Sequence, residues 1–143
     1  MSLVRHPWRS ALALRLLALT VLRPGELRAI AKADFEDLDG PAPLLRMPAE
    51  RMKMKKEHLV PLSRQAVATA QLTCKVAGNN PLVFPSSRHP WRPMSENSLG
   101  CLLNRAGYFG VHVPHGFRAS FSSVMNERHR ADRLVIDLML AHV

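Results

Sequence analysis

The chain opens on a stretch that is almost wholly apolar. Leu14, Leu17, Ala18 and Val21 keep helical spacing, and Leu12, Leu16 and Leu19 widen the stripe until little polar face remains. This pattern predicts a core helix over residues 8–21, buried on most sides. It ends near Leu22, because the residue before a proline avoids the α region. Arg23-Pro24-Gly25-Glu26-Leu27 opens a second helix, with Pro24 suited to the first helical position and Glu26 to the first turn. Arg23 is therefore held extended just outside a helix start, on support fixed by the buried helix before it. Two roles stay open for it here: a surface arginine paired with Glu26, or a cation placed for a ligand.

Acids, Gly40 and two prolines mark residues 34–43 as a turn region. Leu44–Pro48 and His58–Leu62 read as two short strands. The run Glu50-Arg51-Met52-Lys53-Met54-Lys55-Lys56-Glu57 joins them as a basic hairpin tip projecting four cations. Such a tip is either solvated charge that blunts an edge strand or a lysine reaching over a DNA backbone. Ser63 caps a helix that ends near Gly78. Pro81–Pro85 is a short apolar run, and residues 86–94 form a loop. Ser95 caps a helix with Leu99, Leu102, Leu103 and Ala106 on one face and Gly107 as its stop. A further helix runs from the His115 region to about Glu127 or Arg128. The last segment, Asp132 to Val143, carries Leu134, Val135, Leu138, Met139 and His142. The expectation is a mainly α-helical domain with a small antiparallel β-sheet (α+β).

Composition narrows the partner. At 143 residues and 47% hydrophobic content the chain is one domain's worth with a real core. A net charge of +9, from 20 Lys+Arg against 11 Asp+Glu, favours a polyanion, nucleic acid before an anionic membrane. A merely basic protein is the plainer reading of the same charge. Residues 11–22 are interrupted by Arg15 and fall short of the roughly 20 residues that a span requires. No small-residue cleavage site follows the run, so it does not read as a signal peptide. Cys74 and Cys101 make neither a disulfide framework nor a metal-spaced cluster, which suits a reducing cytoplasm. A zinc site from Cys74, Cys101, His112 and His115 fits no usual ligand spacing, and no metal or other cofactor is called for. His58, His89 and His129 read as surface or loop histidines.

The candidate chemistry lies in Pro114-His115-Gly116-Phe117-Arg118. Positions i and i+3 share a helix face, so His115 and Arg118 can address one ligand. A helix start adds unpaired N–H groups and the positive dipole end, which suit an anion. A proton-transfer group beside a fork of five donors is what cutting a phosphodiester requires. The plainer reading is a surface pair beside a buried Phe117.

Arg23-Pro-Gly-Glu-Leu, the lysine hairpin before Leu59-Val60-Pro61-Leu62-Ser63, His115-Gly-Phe-Arg118 and Leu140-Ala-His142-Val together resemble the catalytic domain of tyrosine recombinases, more narrowly phage or genomic-island integrases of the satellite-phage type. The resemblance covers nearly the whole chain, in order. It implies that Arg23 is the first family arginine, that His115 and Arg118 form the His-x-x-Arg box, and that His142 is the later histidine. Lys53, eight residues before Pro61, matches the hairpin lysine, with Lys55 as runner-up. It further implies that Arg23 and Arg118 hold the non-bridging phosphate oxygens. His115 would act as acid/base and orienter, Lys53 would protonate the leaving 5′ oxygen, and His142 would donate a hydrogen bond. The two guanidiniums supply the positive charge without a metal. The nucleophile would be a tyrosine forming a 3′-phosphotyrosyl link on double-stranded DNA at attachment sites, with self-association on DNA in the full-length protein.

Here the sequence departs from the pattern. The family tyrosine falls roughly nine residues past the position of His142, and the single tyrosine, Tyr108, precedes the His115 box. Tyr108 is expected to pack or face DNA. Residues 1–143 are therefore expected to be an integrase catalytic domain without its tyrosine segment and N-terminal DNA-binding domains, binding phosphate but not cleaving DNA. The other readings are a non-catalytic basic DNA-binding module and a degenerate relic.

Overall fold

The computed structural model describes residues 7–141. Helix α1 (Pro7–Thr20) crosses the domain, with Ala13, Leu16, Leu17 and Thr20 buried. It is less enclosed than its composition suggests, since Ala18 is exposed and Leu12, Leu14 and Leu19 are half-buried. The helix stops at Thr20, whose Oγ1 donates to the Leu16 carbonyl at 2.8 Å. Val21 follows at φ 57°, in the left-handed region. A β-branched residue there is strained by about 1–3 kcal/mol, so its surroundings must hold it. Arg23 then takes the expected extended conformation, φ −69° and ψ 143°, ahead of α2 (Pro24–Arg28).

The sheet has three antiparallel strands: β1 (Phe35–Glu36), β2 (Leu44–Met47) and β3 (His58–Pro61), in that order. Strand β1 lies inside the region expected to be only a turn, because two residues are too few to set up an alternation. Arg46, central in β2, donates to Glu36 at 2.7 Å and to Glu57 at 2.8 Å, stapling the outer face. The inner face contributes Leu45, Met47 and Val60 to the core.

The hairpin tip corrects the expectation of four projecting cations. One 3₁₀ turn, Ala49–Arg51, folds Arg51 inward, where it donates to the Ala29 carbonyl and to Asp34 Oδ1, each at 2.5 Å. Met52 is buried behind it, and Lys53, Lys55 and Lys56 remain exposed.

Ser63 caps α3 (Arg64–Val76) as expected, accepting from the Ala66 N–H at 3.1 Å, and Gly78 follows at φ 63°. α4 (Ser98–Leu103) begins two residues later than the Ser95 cap implied: Asn97 is the N-cap, while Ser95 Oγ accepts from the Asn97 N–H. The helix widens through Asn104–Tyr108 and breaks at Gly107, φ 92°, the stop read from the sequence. Helices α5 (Gly116–Arg128) and α6 (Arg133–Met139) complete the described chain. Ile136 and Leu140 pack with Val21 as a small second cluster, flanked by Phe121 and Met125. Among the described residues no helix is long and apolar enough to cross a membrane.

Candidate functional site

Glu26 organises one side of the site. Only 5% exposed, its carboxylate accepts from the Arg23 backbone N–H at 3.3 Å and from Arg23 Nη1 at 3.2 Å. It also accepts from the Lys53 N–H at 3.4 Å, across 27 positions of chain. The Arg23–Glu26 pair anticipated as a surface contact is thus a largely buried one. It fixes the guanidinium and anchors the hairpin at the residue whose ammonium group reaches solvent. Lys55 differs: at φ 54° it turns back, and its Nζ lies 3.4 Å from the Glu50 carbonyl.

Arg118 comes from the first turn of α5 and is 6% exposed. Its Nη1 donates to the Val21 carbonyl at 2.5 Å and its Nη2 to the Leu140 carbonyl. These carbonyls belong to the ends of α1 and α6, where backbone acceptors lack intrahelical donors and the dipole is negative. One buried cation therefore serves two helix ends, and its bond to Val21 helps to hold that strained residue. Burial, followed by the charge of Arg23, pushes the Arg118 guanidinium below its usual range, and Glu26 opposes the shift. The charge of Arg23 thus reaches Arg118, although 95 positions separate them in the chain.

His115 sits at the N-cap of α5 with its side chain exposed, and its carbonyl accepts the Arg118 N–H at 3.2 Å. The neighbouring His112 ring meets Phe117 tilted by 53°, at 4.6 Å between centroids. A Cβ on Gly116 would meet that ring at 3.4 Å, an ordinary van der Waals contact. Phe117 is half-buried against the main core rather than fully enclosed. His142 lies outside the described residues. Tyr108 is exposed at the end of the widened helix, before the His115 loop.

His58 overturns its assignment as a surface or loop histidine. It is 9% exposed on the inner face of β3, opposite Met47. Burial pushes its imidazole below the ordinary value; Glu26 and a hydrogen bond to the Met139 backbone act upward, and Arg118 and Arg23 act downward. The alternation His58-Leu59-Val60-Pro61 carried the signal, because His58 shares a face with Val60.

The described fold matches solved site-specific recombinases. XerH, bound to difH substrate in a pre-cleavage complex, superposes with a TM-score of 0.72 at 17% identity, over 94% of this chain and 40% of that one. XerA gives 0.65 at 18%, over 92% and 47%. The architecture is that of tyrosine recombinase catalytic domains: mainly helical, with a small antiparallel sheet. Sequence then gives the family. The profile of the phage integrase family matches residues 2–143, and the chain belongs to that family.

Among relatives, prophage integrase IntZ of Escherichia coli K12 is 39% identical over 131 residues, covering 92% of this chain and 32% of its own. Prophage integrase IntA of the same strain is 38% identical over 125 residues, covering 87% and 29%. The integrase of Enterobacteria phage P4 is 32% identical over 145 residues, covering 92% and 32%. The chain thus spans about a third of the length of these relatives.

Proposed function

We propose that residues 1–143 are the catalytic domain of a longer site-specific DNA integrase that breaks and rejoins double-stranded DNA through a 3′-phosphotyrosyl intermediate. The observation that carries this reading is the convergence of Arg23 and Arg118. Arg118 is held on the Val21 carbonyl, two residues before Arg23, close enough for the charge of Arg23 to act on it, with the Glu26 carboxylate beside them. A site built this way is completed by an anion, and the phosphodiester supplies one.

In the reaction a tyrosine hydroxyl attacks phosphorus, and the bond to the 5′ oxygen breaks. Arg23 and Arg118 bind the non-bridging oxygens, where charge builds as the phosphorus becomes five-coordinate. His115, exposed at the helix start, assists proton transfer at the nucleophile, and Lys53 delivers a proton to the leaving 5′ oxygen. The Lys53 anchorage to Glu26 supports that residue over Lys55, which folds back on its own hairpin. His142 donates to a phosphate oxygen. The phosphotyrosyl bond conserves the energy for religation to a new 5′ hydroxyl. The nucleophile in this reading is a tyrosine outside residues 1–143, since Tyr108 ends the widened helix ahead of the box. Self-association on DNA belongs to the full-length protein.

Binding to a short duplex at low salt, read by fluorescence anisotropy, tests the site. Arg118→Ala and Arg23→Ala are each expected to weaken binding about tenfold, equivalent to about 1.4 kcal/mol. Arg64→Ala, at the exposed start of α3, is expected to change it about twofold at most. Equal losses at all three positions would refute the phosphate site. A longer version, extended in the native reading frame and incubated with supercoiled DNA carrying attachment sites, should give a denaturant-resistant protein–DNA adduct. Binding without an adduct, with a tyrosine in place, would favour a non-catalytic DNA-binding module.

A further inference from the structure

The stretch between Phe84 and Met94, expected from the sequence only as a loop, is built as a closed arm. Both of its ends are sunk in the domain, Phe84 at 1% exposure and Met94 at 5%. Between them the Met94 N–H donates to the Phe84 carbonyl at 2.8 Å, and Pro85 faces Pro93 as a β-bridge. The Ser86 N–H then donates to the Arg92 carbonyl at 2.8 Å. The tip is bonded as well. Ser86 Oγ accepts from the Arg88 and His89 N–H groups, each at 3.3 Å, and the Arg92 N–H donates to the His89 carbonyl at 2.8 Å. Asn80 Nδ2 donates to the Pro90 carbonyl at 2.7 Å. With Pro85, Pro90 and Pro93 also fixing their φ angles, the arm presents its side chains from a set frame.

What it presents is cationic and aromatic. Arg88, His89, Trp91 and Arg92 are all exposed, Trp91 to 71%, and the His89 ring meets the indole in a T-shaped contact at 5.2 Å between centroids. Arg23, Arg28, Arg46 and Arg51 are each ion-paired, whereas among the described residues neither Arg88 nor Arg92 has an acidic partner. From His58 to Ser95 the chain holds no aspartate or glutamate at all. Two unneutralised guanidiniums on one short tip repel each other, and an indole left in water forgoes one of the largest apolar burials a side chain offers. A partner that alternates anionic and apolar groups relieves both. A DNA strand does so, phosphate by deoxyribose. A second copy of this chain, at net charge +9, would bring charge of the same sign.

The arm is joined to the phosphate site through α2. Arg23 stands at the start of that helix and Arg28 ends it. Arg28 Nη1 donates to the Met94 carbonyl at 2.7 Å, and its Nη2 pairs with Glu96 at 3.3 Å. The helix is five residues long, so about 8 Å of axis separates the arginine of the site from the arginine that pins the arm.

We propose that residues 86–92 form a second contact to duplex DNA, with Arg88 and Arg92 on phosphates near the one held by Arg23 and Arg118, and Trp91 against the deoxyribose edge between them. The proposal takes its partner from the functional reading above and uses none of the catalytic residues. Contacts of this kind read no bases; they fix where the protein sits along the duplex and how it is turned.

The test uses the whole chain carrying Trp8→Phe, which leaves Trp91 as its one tryptophan and keeps an aromatic ring at a position already 38% exposed. Acrylamide quenching of Trp91 should fall about threefold when a short duplex is added to saturation at low salt. Unchanged quenching at saturation overturns the proposal. So does shielding that follows protein concentration without DNA, which would give the arm to a second copy. The double variant Arg88→Ala/Arg92→Ala, followed by anisotropy, should bind about tenfold more weakly and lower the slope of log affinity against log salt by about 2, nearly one counterion per phosphate. Its loss should be equal on duplexes of unrelated sequence; an unchanged slope overturns the contact. Should that variant fail to fold, the Trp91 quenching decides, since it leaves the arm intact. Arg118→Ala separates the two readings. Weakened binding there, with the double variant at wild-type strength, keeps the phosphate site and removes the arm; the reverse pattern keeps the arm and removes the phosphate site.

Discussion

Two regions of this domain are held together by different forces. The first, built from α1, α2, the sheet, α3, α4 and the apolar run at Val83–Phe84, shares a continuous core of sixteen buried side chains among the described residues. The second, α5 with α6, meets the first through Val21, Ile136 and Leu140 and through the bond from Arg118 to the Val21 carbonyl. Of the α5 side chains only Arg118 is buried, and α6 leaves Leu134 68% exposed. Hydrophobic area fixes the first region; the directed bonds of Arg118 add to a small apolar cluster in holding the second. Loss of Arg118 is therefore also a loss of structure, whereas the exposed Lys53 and His115 side chains can change with the fold intact.

The largest effect should come from the first region. Phe84→Ala removes a ring that is 1% exposed and should cost about 3–5 kcal/mol, seen as a single shift of the whole denaturation curve. Against a total stability of about 5–15 kcal/mol for a domain, that approaches global unfolding. An intermediate and local effect is expected for Ile136→Ala, about 2 kcal/mol at the lower end of such truncations. Exchange protection should fall across α6 and stay unchanged in α1 and α3. A uniform fall would mean that the two regions form one cooperative unit and would dissolve the contrast.

The smallest effect concerns Cys74, half-buried in α3 against the main core, whose thiol burial pushes upward while Lys32 opposes. A thiol reagent should modify exposed Cys101 at least about tenfold faster, because Cys74 reacts only through opening and as the minor thiolate. Phe84→Ala should accelerate Cys74 labelling, and Ile136→Ala should leave it alone.

The same division decides what was legible in the sequence. α1 declared itself by its apolar stripe, and α3 by the capping chemistry of Ser63 and the backbone freedom of Gly78, because local forces made those choices. The extended Arg23 followed from Pro24 alone. The inward turn of Arg51 could not be read, since its partners Asp34 and the Ala29 carbonyl come from a segment that carries no apolar pattern. The same holds for β1, whose two residues are strand only because β2 lies beside them. The burial of His58 was legible in principle, through alternation with Val60, but a polar residue at a strand's inner position reads as an exception. For Arg118 the box implied a ligand, and the structure adds that the guanidinium caps two helix ends. Only the tertiary fold places those ends together.

The bond from Arg118 to the Val21 carbonyl spans 97 positions, which gives the site a place in time as well as in space. On the ribosome, Arg23 and Glu26 can pair within one turn of being made. Arg118 follows roughly 5–20 s later at usual elongation rates, and the Leu140 carbonyl later still. Until then one guanidinium of the pair is absent, and the carbonyl it will bind stands at a strained valine with that donor still to come. The arginine pair with both its carbonyl partners is complete only with the last residues of the described chain, so a chain broken off before Arg118 would carry the scaffold and the Lys53 hairpin without the paired arginines.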